Sequence, residues 1–315
     1  MILAYETVDV FTDTAFGGNP LAVVFGAEAL STEAMQAIAR EFNYSETTFV
    51  LPPKDPAHTA QVRIFSTKRE MPFAGHPNVG TAMVLAWRGE VFGKEIGERV
   101  LFEEKAGLVP IRIDSRDGKP VGATFTAPQP FEIIPMEIEA AEVAACAGLP
   151  IEAIDTRQHA PVIGSVGLPF ILAPLTSADA LRAARPDRAA FQTSPGVSAN
   201  GAILFYTRER DEEGETDTLR CRMFAPVRNV AEDPATGSAC AALMGFLATR
   251  ETATGTLRHR LHQGVEMGRP SLLIGEADYR DGACEAVRIG GACVPITRGT
   301  LAADCVKPVF KGETS

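Results

Sequence analysis

The order of apolar and polar residues predicts many short strands and few helices. Between 32 and 42, apolar residues recur at helical spacing behind Ser31, which predicts an amphipathic helix with Ser31 as its N-cap. Gly17-Gly18-Asn19-Pro20 is predicted as a loop. Without regular alternation of strands and helices, the pattern favours an α+β fold over a doubly wound parallel sheet. Short apolar or alternating runs, which are typical of strands, lie at Tyr5–Phe11, Leu21–Phe25, Thr47–Leu51, Gln61–Phe65, Val109–Ile113, Ile171–Leu175, Ala202–Tyr206, Leu272–Ile274 and Ala292–Ile296.

A short pattern occurs twice, about half the chain apart. With Pro77 and Pro234 aligned, residues 73–82 and 231–239 both give a titratable residue, Pro, two residues, Gly, Ser or Thr, and Ala. Each copy continues into an apolar run, and a helix that is apolar on every side belongs in a core. The repeat therefore predicts two similar domains, each with one buried helix.

A turn-rich stretch, Gly118–Pro130, is the expected boundary between these two domains. It divides the chain into a first domain over 1–125 and a second over 126–299. The C-terminal tail 300–315 is a candidate further part of the first domain.

Both repeated turns can bind an anion. A helix start exposes unpaired backbone N–H groups and the positive end of the helix dipole. Glycine allows close approach to that backbone, and a hydroxyl adds a donor, which gives Gly80 with Thr81 and Gly237 with Ser238 as candidate carboxylate-binding pairs. One such turn alone is better explained by simple helix capping. Two matched turns, each beside a titratable residue, favour ligand binding.

Three titratable residues are candidates for acid/base chemistry. His76, in a Gly75-His76-Pro77 turn, and Asp233 hold equivalent places in the two copies and would face each other across a cleft. Gly75 of that turn is a further candidate substrate-binding residue. Glu46 lies where polar residues lead into a buried strand, so that partial desolvation could raise its pKa. On spacing alone, however, Glu46 is more simply a surface glutamate.

Composition excludes several classes of function. A net charge of −10 argues against nucleic acid as a partner, and no apolar run has the roughly 20 residues of a membrane span. Six scattered cysteines without a C-x-x-C, behind a start that is neither basic nor strongly apolar, favour a cytoplasmic protein. His259 and His262 are three apart but have no third ligand nearby, so we interpret them as solvated helix residues and expect no metal. No glycine-rich nucleotide motif occurs.

The motifs together resemble the PhzF-like phenazine-biosynthesis family. The matching segments follow the family order and span nearly the whole chain: Asp9–Val24, Ser45–Val50, Met71–Pro77, Arg222–Pro226, Glu232–Ala239 and Gln263–Ser271. The resemblance implies a diaminopimelate-epimerase-like fold, with two pseudo-symmetric domains that each wrap a curved, mostly antiparallel sheet around a central helix. It also implies an interdomain active site, a homodimer and an isomerase without cofactor. The best-known activity of the family isomerises trans-2,3-dihydro-3-hydroxyanthranilate by moving a proton.

By this resemblance Glu46 carries the proton. His76, Asp233 and the Gly237-Ser238 turn would hold a small carboxylated substrate. An epimerase or racemase of the same fold is the alternative within enzymes, and a non-catalytic ligand-binding protein is the alternative outside them. Epimerases of this fold use one cysteine from each half, and the positions that correspond here are Ala74 and Ala239. A mechanism with two thiols is therefore not expected.

Overall fold

The computed structural model of the chain describes residues 3–209, 218–228 and 230–302. Most of the tail 300–315, the predicted addition to the first domain, therefore lies outside the described residues. The strands are β1 (Leu3–Val10), β2 (Asn19–Phe25), β3 (Glu46–Leu51), β4 (Ala60–Ser66), β5 (Glu70–Met71), β6 (Glu90–Val91), β7 (Lys94–Glu95), β8 (Arg99–Glu104), β9 (Gly107–Arg116), β10 (Lys119–Thr126), β11 (Glu132–Ile134), β12 (Val162–Ser165), β13 (Pro169–Pro174), β14 (Ile203–Glu209), β15 (Thr218–Ala225), β16 (Val230–Asp233), β17 (Thr254–Gln263), β18 (Ser271–Arg280) and β19 (Ala283–Leu301). The α-helices are α1 (Thr32–Phe42), α2 (Gly75–Arg88), α3 (Ala140–Cys146), α4 (Ala178–Ala183), α5 (Arg188–Thr193), α6 (Pro195–Ser198) and α7 (Gly237–Ala248), with 3-10 turns at Ile151–Ala153, Pro226–Arg228 and Val265–Met267.

These elements confirm the predicted α+β class. Helix α1 has the predicted bounds, and the Ser31 hydroxyl caps it by accepting from Ala34 N at 3.2 Å. Each predicted strand overlaps a strand of the structure. The predicted loop at 17–20 is shorter than expected, because Asn19 and Pro20 already belong to β2. Proline is tolerated at the start of a strand.

The sheet is mostly antiparallel. Among the described residues, 17 strands form one hydrogen-bonded network, and β6 and β7 form a separate hairpin. Parallel pairs occur at β2–β3, β4–β8, β13–β14 and β15–β17. The central strand β1 lies between β2 and β19. This arrangement brings Glu46, the first residue of β3, opposite Leu21 of β2.

The stretch predicted as a domain boundary contains a strand. A tight turn at Asp117 (φ 51°) and Gly118 (φ 72°) leads from β9 into β10. Strand β10 then pairs with both β9 and β19. The turn-forming residues there are thus used partly in a hairpin, and the division at 125/126 stays a prediction.

Helices α2 and α7 are the two buried helices that the repeat predicted. Every residue of α7 is buried, and so are residues 75–85 of α2. Helix α2 packs against β1, β2, β9, β10 and β19, whereas α7 packs mainly against β12, β13, β18 and β19. Side chains of both helices contribute to one large apolar cluster. Neither helix needs a polar outer face, which explains why their sequences show no amphipathic period.

The interpretation of His259 and His262 as helix residues is wrong. Both lie on β17, where His259, Leu261 and Gln263 are buried in alternate positions. Two of these inward positions, His259 and Gln263, hold polar residues, so the sequence lacks the alternation of apolar and polar residues that is typical of a strand. Within the described ranges, no helix is long and apolar enough to cross a membrane.

Candidate active site

The N-termini of α2 and α7 meet. A Cβ on Gly75 would lie 2.9 Å from Cα and C of Gly237 and 2.9 Å from Ser238 N. A Cβ on Gly237 would in turn lie 3.2 Å from Gly75 Cα. Glycine is needed at both positions for close approach of the backbones. We call this contact, made by Gly75, Gly237 and Ser238, the helix junction.

Neither helix at the junction is capped by a side chain. The cap residues Ala74 and Thr236 make no side-chain hydrogen bond to the helices that they precede. In contrast, side chains of Ser31, Ser177 and Asp187 cap α1, α4 and α5. The first N–H groups of α2 and α7 therefore remain available together, at the positive ends of two helix dipoles. Such a place favours an anion.

Asp233, the last residue of β16, lies beside the junction and is 6% exposed. Its Oδ1 accepts from Asn19 Nδ2 at 3.0 Å and from Ser45 Oγ at 3.2 Å. Its Oδ2 accepts from the Thr236 hydroxyl, which explains why Thr236 does not cap α7. Burial raises the pKa of Asp233 to about 6, while these hydrogen bonds act to lower it.

Glu46 and Asp233 titrate as interacting groups. The side chain of Glu46 is 18% exposed. Burial is the main cause that raises the pKa of Glu46 to about 8, and the negative charge of Asp233 adds to it. Near neutral pH the pair therefore holds one proton, mostly on Glu46. A carboxyl group in this state can both give and take a proton.

His76, the second residue of α2, is neutral. It is 4% exposed, and burial lowers its pKa to about 3. Its Nδ1 lies 3.6 Å from Glu46 Oε2, but this contact joins a neutral imidazole to a mostly protonated carboxyl and is no ion pair at neutral pH. Its Nε2 is buried without a hydrogen-bond partner among the described residues. A bound ligand can supply that partner.

Asn19 connects these groups, and sequence reasoning missed it. Its Nδ2 is hydrogen-bonded to Asp233 Oδ1 and to Ala235 O at 2.9 Å, and it lies 3.3 Å from His76 Nδ1. Asn19 is fully buried. Its place in a Gly-Gly-Asn-Pro motif just before an apolar strand suggested only a loop, although a buried amide at a strand start could have been suspected.

The segment Gln263–Ser271 contacts both the strand end that carries Asp233 and the turn that precedes Asn19. Gln263 Nε2 donates to Asp233 O at 2.8 Å, on the side of α7. Arg269 Nε donates to Gly18 O at 2.8 Å, and Arg269 Nη2 pairs with Asp9 Oδ1 at 2.6 Å. Gly18 N donates back to Pro270 O at 3.0 Å. The segment therefore fixes Asn19, through its neighbour Gly18, relative to Asp233.

Gly80 and Thr81 do not lie at the junction, which corrects their assignment as substrate-binding residues. Both are inside α2, and a Cβ on Gly80 would meet Leu21 Cδ2 at 2.6 Å. The Thr81 hydroxyl is fully buried and bonds the Thr48 hydroxyl at 2.9 Å. Their roles are in packing. The alignment on prolines is out of register, because Pro77 lies inside the first turn of its helix whereas Pro234 precedes α7.

Counted from the helix starts, Gly75 corresponds to Gly237 and His76 corresponds to Ser238. Ser238 is 5% exposed, and its hydroxyl makes no hydrogen bond within the described part of the chain. It is thus a free donor beside the open N–H groups. Glu46, His76, Asp233, Gly75, Gly237 and Ser238 all belong to the elements that converge here.

Two neighbouring residues are structural. Glu232 forms a two-point ion pair with Arg222, at 2.7 Å to Nε and 2.8 Å to Nη2, and Arg222 is 3% exposed. Cys240 is fully buried inside α7, where its Sγ contacts Gln263 Oε1 at 3.7 Å. A hydrogen bond with the neighbouring Cys221, together with burial, keeps the pKa of Cys240 well above the usual range, so Cys240 is a poor nucleophile or base. No group of three or more metal-binding side chains occurs among the described residues.

Known proteins are similar to this chain in sequence and in fold. Residues 8–299 match the family model described as phenazine biosynthesis-like protein. The chain is 38% identical over 299 residues to an uncharacterized isomerase of Mesorhizobium japonicum, covering 94% of this chain and 98% of that one. It is 33% identical over 298 residues to the trans-2,3-dihydro-3-hydroxyanthranilate isomerase of Pseudomonas chlororaphis, with coverages of 94% and 98%. The fold is similar to that of a PhzF-family phenazine biosynthesis protein of Bacillus anthracis, with a TM-score of 0.83, 23% identity and coverages of 96% and 99%.

Proposed function

The chain belongs to the phenazine biosynthesis-like protein family and is an isomerase, and we propose that it moves a proton within a small carboxylated metabolite without a cofactor. The observation that carries this proposal is the state of Glu46. It is a carboxyl group with a pKa raised toward neutrality, beside a second buried carboxyl and next to two open helix starts. General acid/base catalysis works best when the pKa of the catalytic group lies near the working pH.

The helix junction binds the carboxylate of the substrate in this proposal. The N–H groups at the starts of α2 and α7 and the Ser238 hydroxyl are donors without a partner among the described residues, and both dipoles favour negative charge. A charge-assisted hydrogen bond is stronger than a neutral one. This anchoring orients the rest of the molecule relative to Glu46.

Glu46 moves the proton in two steps. In its ionised form it takes a proton from one carbon of the substrate, so that a C–H bond breaks and an O–H bond forms. It then returns the proton to another carbon, and the substrate keeps its atoms and its oxidation state. His76 and the Asp233 carboxylate hold the amino or hydroxyl group of the substrate. The neutral imidazole can donate or accept a hydrogen bond. The ionised carboxylate accepts hydrogen bonds from these groups and supplies a negative charge.

The arrangement of the chain around the site is also a proposal. Two similar halves, 1–125 and 126–299, would each supply one buried helix, α2 or α7, and the substrate would lie between them. The contact of Gly75 with Gly237 supports this view. A homodimer is the expected assembly, and light scattering coupled to size exclusion measures it.

The substrate that relatives are named for, trans-2,3-dihydro-3-hydroxyanthranilate, is the first to test on this chain. Incubation in D2O should incorporate deuterium into the substrate, which proton nuclear magnetic resonance measures. Glu46→Gln should abolish this incorporation. Glu41→Gln, which changes an exposed carboxylate on α1, is the matched control and should keep full activity.

Other outcomes separate the alternatives. Exchange that persists in Glu46→Gln contradicts the role given to Glu46. Inversion of a stereocentre without a change in connectivity identifies an epimerase instead. Tight binding without exchange, equal in the wild type and in Glu46→Gln, identifies a ligand-binding protein.

A further inference from the structure

We infer that Gln263 is a positioning residue of the active site, because its buried amide fixes the direction of the Thr236 hydroxyl and so holds the Asp233 carboxylate in its ionised form. The inference rests on the proposed function for the parts that Asp233 and Glu46 play in the reaction. It deepens that function by explaining which of the two carboxyl groups keeps the shared proton. The partners and distances of one fully buried side chain carry it.

The neighbours of the Gln263 amide determine its orientation. Its Oε1 lies 3.1 Å from Thr236 N, and a backbone N–H can only donate. Cys240 Sγ lies 3.7 Å from the same oxygen and is a second, weak donor. Its Nε2 lies 2.8 Å from Asp233 O, and a carbonyl oxygen can only accept. Exchanging the oxygen and the nitrogen would place donor against donor and acceptor against acceptor, so the amide has one orientation.

This orientation decides where the Thr236 hydroxyl directs its hydrogen. The hydrogens on Gln263 Nε2 go to Asp233 O and to Thr236 Oγ1, the second at 3.1 Å. A hydroxyl has one hydrogen, and it cannot be directed at an N–H that already donates to the same oxygen. The other partner of Thr236 Oγ1 is Asp233 Oδ2. The hydrogen bonds therefore run in one direction, from Nε2 through the hydroxyl to the carboxylate.

A donor with a fixed direction favours the ionised form of its carboxylate. Asp233 accepts from three side chains, and of these Thr236 lowers its pKa most. The Ser45 hydroxyl, 3.2 Å from Asp233 Oδ1, has no second partner in the described ranges, so nothing there fixes the direction of its hydrogen. Gln263 fixes that direction for Thr236. The shared proton is thereby kept off Asp233 and stays mostly on Glu46.

Gln263 also makes contacts that only shape the chain. The bonds from Nε2 to Asp233 O and from Thr236 N to Oε1 hold the turn that leads into α7. They offset part of the cost of burying an amide. The bond from Nε2 to Thr236 Oγ1 is the one that acts on the Asp233 carboxylate. An experiment therefore has to separate this bond from the contacts that hold the turn.

One other titratable group in the surroundings of Asp233 changes its charge near neutral pH, and it is Glu46 on β3. His76 on α2 is neutral there, because burial lowers its pKa to about 3. Cys240 on α7 keeps its proton, since its pKa is raised well above the usual range. Glu232, beside Asp233 on β16, is held in an ion pair. A change in the titration of Asp233 therefore reports its own donors and its coupling to Glu46.

The test is a double-mutant cycle measured on the Asp233 carboxyl group. Gln263→Met keeps the length of the side chain and removes both ends of the amide, whereas Thr236→Val removes the hydroxyl. Carbon-13 resonances of labelled aspartate carboxyls give the pKa of Asp233, and Asp233→Asn identifies its signal. Gln263→Met alone should raise this pKa by about half to one unit, which corresponds to one neutral hydrogen bond. In the Thr236→Val protein, the same substitution should change it by less than about 0.3 unit.

The pH dependence of deuterium exchange makes the same comparison in the reaction. Its lower break should move upward by about half to one unit in Gln263→Met. Gln158→Met is the matched control, since Gln158 Nε2 also donates to a carboxylate, Asp155 Oδ2, at 3.0 Å. It should change the titration of Asp155 and leave that of Asp233 in place. The control thus shows that the loss of one amide donor is detected.

Neutron diffraction on crystals of the wild-type chain grown in D2O tests the inference without a variant. It decides the question even where Gln263→Met does not fold. Near neutral pH we expect deuterium on Gln263 Nε2 toward Asp233 O and toward Thr236 Oγ1. We expect the deuterium of the Thr236 hydroxyl between Oγ1 and Asp233 Oδ2.

The inference is overturned if the Asp233 carboxyl titrates alike in the wild type and in Gln263→Met. It is also overturned if Gln263→Met shifts this titration equally with and without the Thr236 hydroxyl, because Gln263 would then act only by holding the turn. A neutron map without deuterium on the Gln263 atom that faces Asp233 O would contradict it as well. The titrations and the neutron map need no substrate. A Thr236-dependent shift in a chain that moves no proton on a substrate removes the proposed isomerisation alone, whereas Glu46-dependent exchange with an unchanged titration removes this inference alone.

Discussion

Replacing Thr236 tests the electrostatics of the site most directly. Its hydroxyl donates to Asp233 Oδ2 and accepts from Gln263 Nε2 at 3.1 Å. Valine has a similar volume and lacks the hydroxyl. Thr236→Val therefore removes one of the three side-chain donors to Asp233, and those from Asn19 and Ser45 remain.

The size of the effect follows from the loss of one hydrogen bond to a charged group. Such a bond contributes about 1.5 to 3 kcal/mol, and one pKa unit corresponds to about 1.4 kcal/mol. The pKa of Asp233 is about 6 in the wild type. Thr236→Val should raise it by about one to two units.

The assay is the pH dependence of deuterium exchange at low substrate concentration. If the reaction requires both carboxylates ionised, the logarithm of the rate rises with slope two below pH about 6, with slope one up to about 8, and then levels. These breaks belong to the interacting pair rather than to single residues. Thr236→Val should move the lower break to about pH 7 to 8 and leave the plateau rate within about threefold.

Thr249→Val is the matched control, since its hydroxyl donates to Phe246 O at 2.7 Å at the other end of α7. It should leave both breaks in place. Carbon-13 resonances of labelled aspartate carboxyls report the pKa of Asp233 without turnover. An unchanged lower break and an unchanged carboxyl titration in Thr236→Val would refute the role of this hydrogen bond.

Three further predictions concern the same site. The pKa of Glu46 is raised above 4.5, so the stabilising contribution of its protonated form is complete below pH 4.5 and is lost as pH rises through about 8. In thermal denaturation, the free energy of unfolding of Glu46→Gln should therefore equal that of the wild type at pH about 4 and exceed it by about 2 to 5 kcal/mol at pH about 9. Gly75→Ala should push the helix starts apart, lower the free energy of unfolding by about 1 to 3 kcal/mol and weaken anthranilate binding about tenfold, whereas Gly97→Ala, with no atom within 4 Å of its Cβ, should change neither. Glu232→Gln should cost about 3 kcal/mol in urea denaturation, because it leaves the buried Arg222 unpaired, and should leave kcat of the folded enzyme within about twofold.

The buried helices could be predicted from the sequence, but the register of the repeat could not. The apolar runs after 82 and after 240, each behind a helix-start pattern, are predicted as buried helices, and both lie in buried helices of the structure. The prolines, however, occupy different places. Proline fits the first turn of a helix because its missing N–H would be unpaired there, so Pro77 lies within α2 and gives no marker of where that helix begins. This is why the alignment on prolines sets Gly80 opposite Gly237 as an anion-binding residue and sets Gly75 opposite Glu232, whereas the helix starts set Gly75 opposite Gly237.

Residues joined by long-range contacts were beyond the reach of the sequence. Asn19 and Asp233 belong to β2 and β16, and only the fold brings the amide to the carboxylate. The same holds for Arg269 and Gly18. Glu46 could be nominated only through the family resemblance, because its raised pKa depends on burial and on the charge of Asp233. Local patterns predict elements, whereas these electrostatic properties arise from the packing of distant elements.

Several polar groups without a hydrogen-bond partner among the described residues lie together at the junction, and this argues for a ligand. Threonine before a helix normally caps it, yet Thr236 gives its hydroxyl to Asp233, and Ala74 has none to give. The His76 Nε2 is buried without a partner in the described chain. Each unmet group costs free energy in the unliganded protein. A carboxylate bound across both helix starts would satisfy the N–H groups at once, and binding to the folded state alone stabilises that state. The ligand that raises the melting temperature most, and that loses this effect in Gly75→Ala, is therefore the one that fits the junction.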